Sequence, residues 1–394
     1  MDAPSSDAAG QVPLQPDAQP ANVQLAPSPG VGDDASLIDA PVGTTAAKAK
    51  TNRKKKHGKL AFAGRAFVRG AVVKDKADPD TVAQGTLNSA RVKVEYRWHA
   101  LRAELEAELA SRFKLKNAFI ELRLTDRGPT VDVRAGQMKM PFSGIQLTSI
   151  WGLPMADRGL LDNVLVKRLQ VAGRAVGAMV IAECPAAWSA KLQVGVFQGM
   201  DDAGTPLAST ASDRFGQDGV ARISVQPMHG LELGVAGSAR VGELQVVPLA
   251  VSRGYAGEVD ASLDVAAGPG VLRVWAEGIV GTSWLVSRFD PTRTRVTFAE
   301  GRGIAAYRLG GAAHGKRYGE LYGVFGALDP DTAIRHDLIS EATGGVTYGA
   351  WNAWRIQLEL ERWHVASAAP IGIVELGVGP ATSTTVLVQL GARL

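Results

Sequence analysis

Charged side chains recur at every second position between Ala90 and Arg112, and this spacing is the chemistry-bearing pattern of the chain. Arg91, Lys93, Glu95, Arg97 and His99 form one row, and after a short break Arg102, Glu104, Glu106 and Glu108 form a second. Rows of fixed charge act electrostatically, on one another or on ions, and form and break no covalent bonds. Covalent chemistry has no comparable constellation. Cys184 is the single cysteine, which excludes an internal disulfide framework. Its apolar setting before Pro185 reads as that of a small buried hydrophobe rather than a nucleophile. The six histidines include no pair at metal-ligand spacing. No nucleophile elbow, phosphate loop or dinucleotide fingerprint occurs, and Gly301-Arg302-Gly303 precedes no helix and reads as a turn. The residue types therefore point to no enzyme, no metal and no cofactor.

Two-residue spacing puts those charges on one face only if the chain is a β-strand, because successive strand side chains point to opposite faces. The opposite face is then apolar: Ala90, Val92, Val94, Tyr96 and Trp98, followed by Leu101, Ala103, Leu105, Ala107 and Leu109. The pattern returns at Trp188–Phe197, at Trp354–Glu361 and at the C-terminus, where Val386, Val388, Leu390, Ala392 and Leu394 oppose Gln389 and Arg393. A membrane barrel needs this arrangement, with apolar side chains toward lipid, polar ones toward a wet lumen and closure satisfying the backbone. A soluble antiparallel sandwich also alternates and is the competing reading. Trp98, Trp188 and Trp354 stand near the ends of apolar faces, where aromatic girdles meet lipid head groups.

Composition is compatible with either: 46% hydrophobic residues and 45 glycines in 394 describe a folded chain. No run of about 18 uncharged apolar residues offers a membrane helix. Residues 1–57 read as a separate unit, a disordered Ala/Pro-rich tail, leaving 58–394 for the barrel. The tail ends in a basic run, Lys48 to Lys59, suited to anionic lipid or an acidic envelope polymer. Without that run the rest of the chain is slightly acidic, so nucleic acid is not an expected partner. The chain as given opens without a basic region followed by an apolar core, so a processed or engineered form, or a start assigned too far downstream, is expected, with a protein that never leaves the cytoplasm as the reading that would sink the barrel.

The stretch Arg134-Ala-Gly-Gln-Met-Lys-Met-Pro-Phe142 resembles the R-x-G-Q-x-K-x-P-F signature of the phosphate-selective porin O and P family. Further fragments follow in the order expected for that family: Arg168 to Gly173, Gly195 to Gly199, Ala221 to Pro227, Gly230 to Gly234, Glu320 to Gly323, Leu328 to Asp331, Trp351 to Trp354 and Gln389 to Leu394. The resemblance implies an all-β transmembrane antiparallel β-barrel of about 16 strands in the outer membrane. It further implies passive diffusion of small anions, phosphate among them, and a homotrimer. A non-conducting structural or adhesive barrel is the alternative.

Nine basic residues are assigned to the lumen: Arg91, Lys93, Arg97, Arg102, Arg123, Arg134, Arg222, Arg273 and Arg355. Acidic residues equal in number oppose them, Glu95, Glu104, Glu106, Glu108, Glu121, Asp132, Glu277, Glu359 and Glu361, so no strong anion field follows from counting. The segment Pro141 to Lys167 is too long for a turn and is expected to fold inward as a constriction. Lys139, Asp157, Arg158, Lys167 and Arg168 are its candidate residues, with a plain Asp157–Arg158 salt bridge as the bland alternative. The polar segment Met200 to Gly219, bearing Asp201, Asp202, Asp213 and Asp218, reads as an external loop.

Overall fold

The computed structural model describes residues 58–75, 81–110, 113–125, 128–169, 171–185, 188–198, 217–243, 251–283, 296–311, 315–367 and 381–394. Among them, sixteen strands close into one antiparallel barrel in which each strand pairs with its neighbours in sequence. These are β1 (Lys59–Asp75), β2 (Thr81–Trp98), β3 (Leu101–Glu108), β4 (Lys114–Thr125), β5 (Thr130–Lys139), β6 (Arg174–Cys184), β7 (Ala190–Gln198) and β8 (Gln217–Met228). They continue as β9 (Leu231–Glu243), β10 (Val251–Ala267), β11 (Gly270–Ser283), β12 (Val296–Gly310), β13 (Arg317–Asp329), β14 (Ile339–Ala350), β15 (Trp354–Val365) and β16 (Ala381–Arg393). Closure runs through β1 and β16, from Arg65 opposite Arg393 to Asp75 opposite Ser383. A closed sheet has no edge, so no backbone donor or acceptor row is left facing hydrocarbon.

The alternation decides which face is which. Val92, Leu105, Ile120, Val194, Leu358 and Leu390 are exposed on the outside, while Arg91, Lys93, Glu95, Glu104, Glu106 and Arg355 are buried inside. This is the inverse of a soluble sandwich, whose apolar face would be covered, and it removes that reading. Trp98, Trp188 and Trp354 are exposed outward together with Tyr96 and Tyr348, all at the end of the barrel where the chain makes its shorter turns. No helix is long and apolar enough to cross a membrane among the described residues.

Three expectations fail here. Gly301-Arg302-Gly303 is no turn but lies inside β12, with Arg302 pointing inward, because alternation continues through the glycines. Asp218 belongs to β8 and not to an external loop; its carboxylate meets Arg240 at 2.5 Å. The rest of that polar segment through Phe215 and Gly216, like the tail 1–57, lies outside the described residues. Cys184 ends β6 and is only partly covered.

The connection from β5 to β6 enters the barrel. It carries α1 (Gly144–Leu147), α2 (Gly159–Asn163) and a π-helical turn (Val164–Arg168). Ile145, Ile150, Trp151, Leu153 and Met155 pack inside against Phe67, Trp275, Ile304, Tyr322 and Val324. Leu161, Val164, Leu165 and Leu169 pack against Phe298, Leu328, Ile339 and Val365. Each such side chain contributes roughly 1.5–3 kcal/mol on burial, so apolar packing is ample reason for the segment to leave water and line the wall.

Candidate functional site

The inward segment is held by wall carboxylates that accept its backbone donors. Glu258 receives the N–H groups of Ser143 and Gly144, each at 2.6 Å, and Glu277 receives the Ser143 hydroxyl at 2.7 Å. Glu359 receives Ala156 N–H at 3.0 Å and Glu341 receives Leu161 N–H at 3.1 Å. Arg355 donates to the carbonyls of Ile150, Trp151 and Leu153 at 3.1–3.3 Å. These residues reach the segment from β10, β11, β14 and β15, so the inner wall from β10 to β15 holds it. Two glycines admit this path. Gly136, in the Arg134–Phe142 stretch, has φ +127, and a side chain there would run into the carbonyl oxygen of Ala118. Gly159 has φ +79, and its absent Cβ would lie 2.5 Å from a Glu341 carboxylate oxygen.

The candidate residues of the segment divide. Lys139 closes β5, and its amine donates to the carbonyl of Gln146, clamping α1. Asp157 pairs with Arg69 of β1 at 2.7 Å. Burial works against the Asp157 charge, but Arg69 and the Gly159 N–H outweigh it and hold the carboxyl below its ordinary range. The Asp157–Arg158 pair expected as the bland alternative does not form. Arg158 is only 1% exposed, and its guanidinium donates to the carbonyls of Ile145, Gln146 and Thr148. Arg158, expected to supply positive charge at the constriction, is thus sealed and bound to the carbonyls of its own segment. Lys167 and Arg168 end the π-helical turn, and their side chains lie outside the described residues.

On β1 to β6 a dense charge network covers the opposite wall. Arg91 meets Glu108 at 2.8 Å and Glu106 at 3.3 Å, while Lys93 meets Glu104 at 3.0 Å. Arg174 donates to Asn117, whose amide nitrogen bridges Glu104 and Glu106 at 2.8 and 3.0 Å. At the turn-side mouth the pairs share one polarity. Side-chain exposure is 56% for Arg97 against 2% for Glu95, and 19% for Arg102 against 2% for Glu104. It is 48% for Arg123 against 9% for Asp132, and 20% for Arg134 against 10% for Glu121. Arg102 and Arg134 lie over the Phe119 ring at 5.4 and 4.3 Å, which keeps the guanidinium planes standing. On β10 and β11 the order reverses, with Asp264 the exposed member of its pair with Arg273.

Arg222 is fastened to Asp260 by two bonds of 2.7 and 2.9 Å, and Arg273 to Glu320 at 3.0 Å. Between α1 and the wall β7 to β11 lies a cavity of about 260 Å³ bordered by Lys191, Gln193, Arg222, Glu232, Asp260 and Trp275. All nine basic residues assigned to the lumen lie on inward positions of their strands. Missed were Arg65, Arg69, Arg174, Arg302 and Arg308, together with Glu258, Glu300 and Glu341. The two-residue spacing of Arg65, Phe67 and Arg69 against Phe62, Ala66 and Val68 was a usable signal for the first strand. Among the described residues no His, Cys, Asp or Glu cluster could hold a metal ion.

Residues 82–244 match the family model of phosphate-selective porin O and P, a span that contains the Arg134–Phe142 stretch. No curated protein matches the chain in sequence. Among solved structures it is similar to the outer membrane channel DcaP of Acinetobacter baumannii, with 9% identity and a TM-score of 0.58 over 86% of this chain and 99% of that one. An anion-selective porin from Comamonas acidovorans shares 11% identity with a TM-score of 0.55, over 86% and 100%. OmpT of Vibrio cholerae in its trimer form shares 10% with a TM-score of 0.53, over 86% and 99%. At these identities the solved structures speak to the fold, which is the closed barrel described above. Family match, outward apolar face and inward charged face agree: the chain is an outer-membrane β-barrel porin that carries the sequence pattern of the phosphate-selective porin O and P family over residues 82–244.

Proposed function

We propose that this porin passes small anions, phosphate among them, by passive diffusion, with the segment between β5 and β6 as the constriction. The observation that carries the reading is the polarity of the pairs at the turn-side mouth. Across β2 to β5 the guanidinium faces the lumen water and the carboxylate sits behind it, so a solute meets positive charge although the charges balance in number. On the far wall Glu258, Glu277, Glu341 and Glu359 are screened by the N–H and hydroxyl groups they accept. No covalent step is involved; selection rests on partial dehydration of the ion beside Arg102 and Arg134. Short turns of such barrels face the periplasm, which makes this the inner mouth. Three copies assembling side by side through the apolar exterior, and the basic run before β1 touching an acidic envelope polymer, complete the reading.

Single-channel recording of the folded protein in a planar bilayer under a potassium chloride gradient tests it. An anion-directed reversal potential that weakens in the Arg102→Gln, Arg134→Gln double variant is expected; a cation-directed one in the native protein overturns the proposal. A second reading, a non-conducting structural barrel, is favoured by the 0–2% side-chain exposure of Arg65, Arg91, Lys93, Glu95, Glu104 and Glu106. Stable insertion without openings would establish it.

A further inference from the structure

Arg308 projects into the barrel from β12, close to the short turn that leads to β13. It is 5% exposed, and among the described residues it has neither a hydrogen bond nor an ion pair. Its Nε is sealed from water without an acceptor. Its register partner across the strand is Glu320, but the Glu320 carboxylate is engaged by Arg273 at 3.0 Å. The Arg308 guanidinium lies instead on the face of Trp351, 4.5 Å from the ring centre, and Trp351 is braced edge-on by Tyr318 at 5.3 Å. Arg273 stands beside the same indole at 5.9 Å.

A buried guanidinium without an acceptor is costly, and stacking on an indole returns only part of the hydration it has lost. Stacking fixes the plane of the fork while leaving its edge to accept a ligand. The group that satisfies such an edge is an oxyanion, which takes two parallel N–H bonds at once. Here the neighbouring carboxylate that would otherwise fill this role is held by Arg273, so Arg308 keeps its positive charge available. We propose that Arg308 and Trp351 form a binding site for a small oxyanion, phosphate or carboxylate, at the inner mouth of the barrel. As a station on the anion path it rests on the porin reading above. It lies on β12 and the β14–β15 turn, across the mouth from the β2–β5 pairs, and would hold an ion on the side where the exposed Asp264 disfavours one.

Titration of inorganic phosphate into the full folded chain in detergent micelles, followed by calorimetry at constant ionic strength, tests the site directly. Arg308→Gln should weaken binding by about tenfold or more, the loss expected for one charge-assisted bidentate contact. Arg308→Lys, which keeps the charge and loses the fork, should fall between. Phosphate added on the turn side in a bilayer should reduce the chloride current of the native protein at lower concentration than that of Arg308→Gln. Native-like phosphate affinity in both variants, or no saturable binding by the native chain, overturns the site. A chain that binds phosphate through Arg308 yet never conducts would sink the porin reading and leave the site standing. A conducting chain whose affinity ignores Arg308 would do the reverse.

Discussion

Arg158 follows Asp157 directly, yet Asp157 pairs with Arg69 of β1, and the guanidinium of Arg158 turns back onto three carbonyls of its own segment. Residue type alone gave Arg158 a charge to offer a solute; burial withdrew it and made the residue a clamp. Replacing Arg158 by Gln should therefore leave the reversal potential in a chloride gradient where it was. It should also lower stability by about 2–4 kcal/mol, because charge-assisted bonds to buried carbonyls are lost. Denaturant unfolding in micelles and bilayer recording together check this, and a shifted reversal potential with unchanged stability would restore Arg158 to the pore wall. The contrast with Arg102 and Arg134 is one of exposure, since all three carry the same charge.

The connection between β13 and β14, residues 330–338, gathers Asp331 and Asp337 beside Asp329 at the end of β13. Asp331 turns its carboxylate to the N–H of Ala333 at 3.1 Å, and Asp329 to that of Asp331 at 3.1 Å. Burial, reinforced by the charges of Asp329 and Asp331, pushes the Asp337 carboxyl up to about 6. A carboxyl raised in the folded state favours folding in its neutral form. Its contribution is complete below the unfolded value near 4 and is lost as pH rises through about 6. This connection should therefore exchange its amide hydrogens more slowly at pH 5 than at pH 7.5 after correction for intrinsic rates. Asp337→Asn should hold the slow rate at both. Equal protection of the native loop at the two pH values would show that Asp337 titrates normally.

Closure of the barrel begins at Lys59 and ends at Arg393, with the first strand bound to β2 on one side and β16 on the other. Nothing in this ladder requires a residue before Gly58. A chain starting at Gly58 is expected to refold in detergent, to shift on heating in electrophoresis as a folded barrel does, and to give the native conductance. Failure to refold would mean that residues 1–57 belong to the barrel and are not a separate unit. Closure also explains how apolar and charged residues coexist along one strand. Each strand shows lipid one face and shows its neighbours across the lumen the other, so opposite environments lie one residue apart.

Alternation was legible in the chain because it is a local property: the outward face of β2, β3, β7, β15 and β16, the inward rows of charge and the outward tryptophans all follow from a period of two. The signature at Arg134–Phe142 likewise marked the strand that leads into the lumen. Which charges meet water was not legible. Glu258 lies 115 residues from Ser143 and Arg69 lies far from Asp157, so partners meet only after sixteen strands have closed. Exposure within a pair, as at Arg97 and Glu95, depends on depth inside the cylinder, a coordinate that sequence position does not carry. Sequence thus determined strand, face and membrane, whereas closure decided which arginines became clamps and which stayed open to an ion, because burial is a property of the assembled wall.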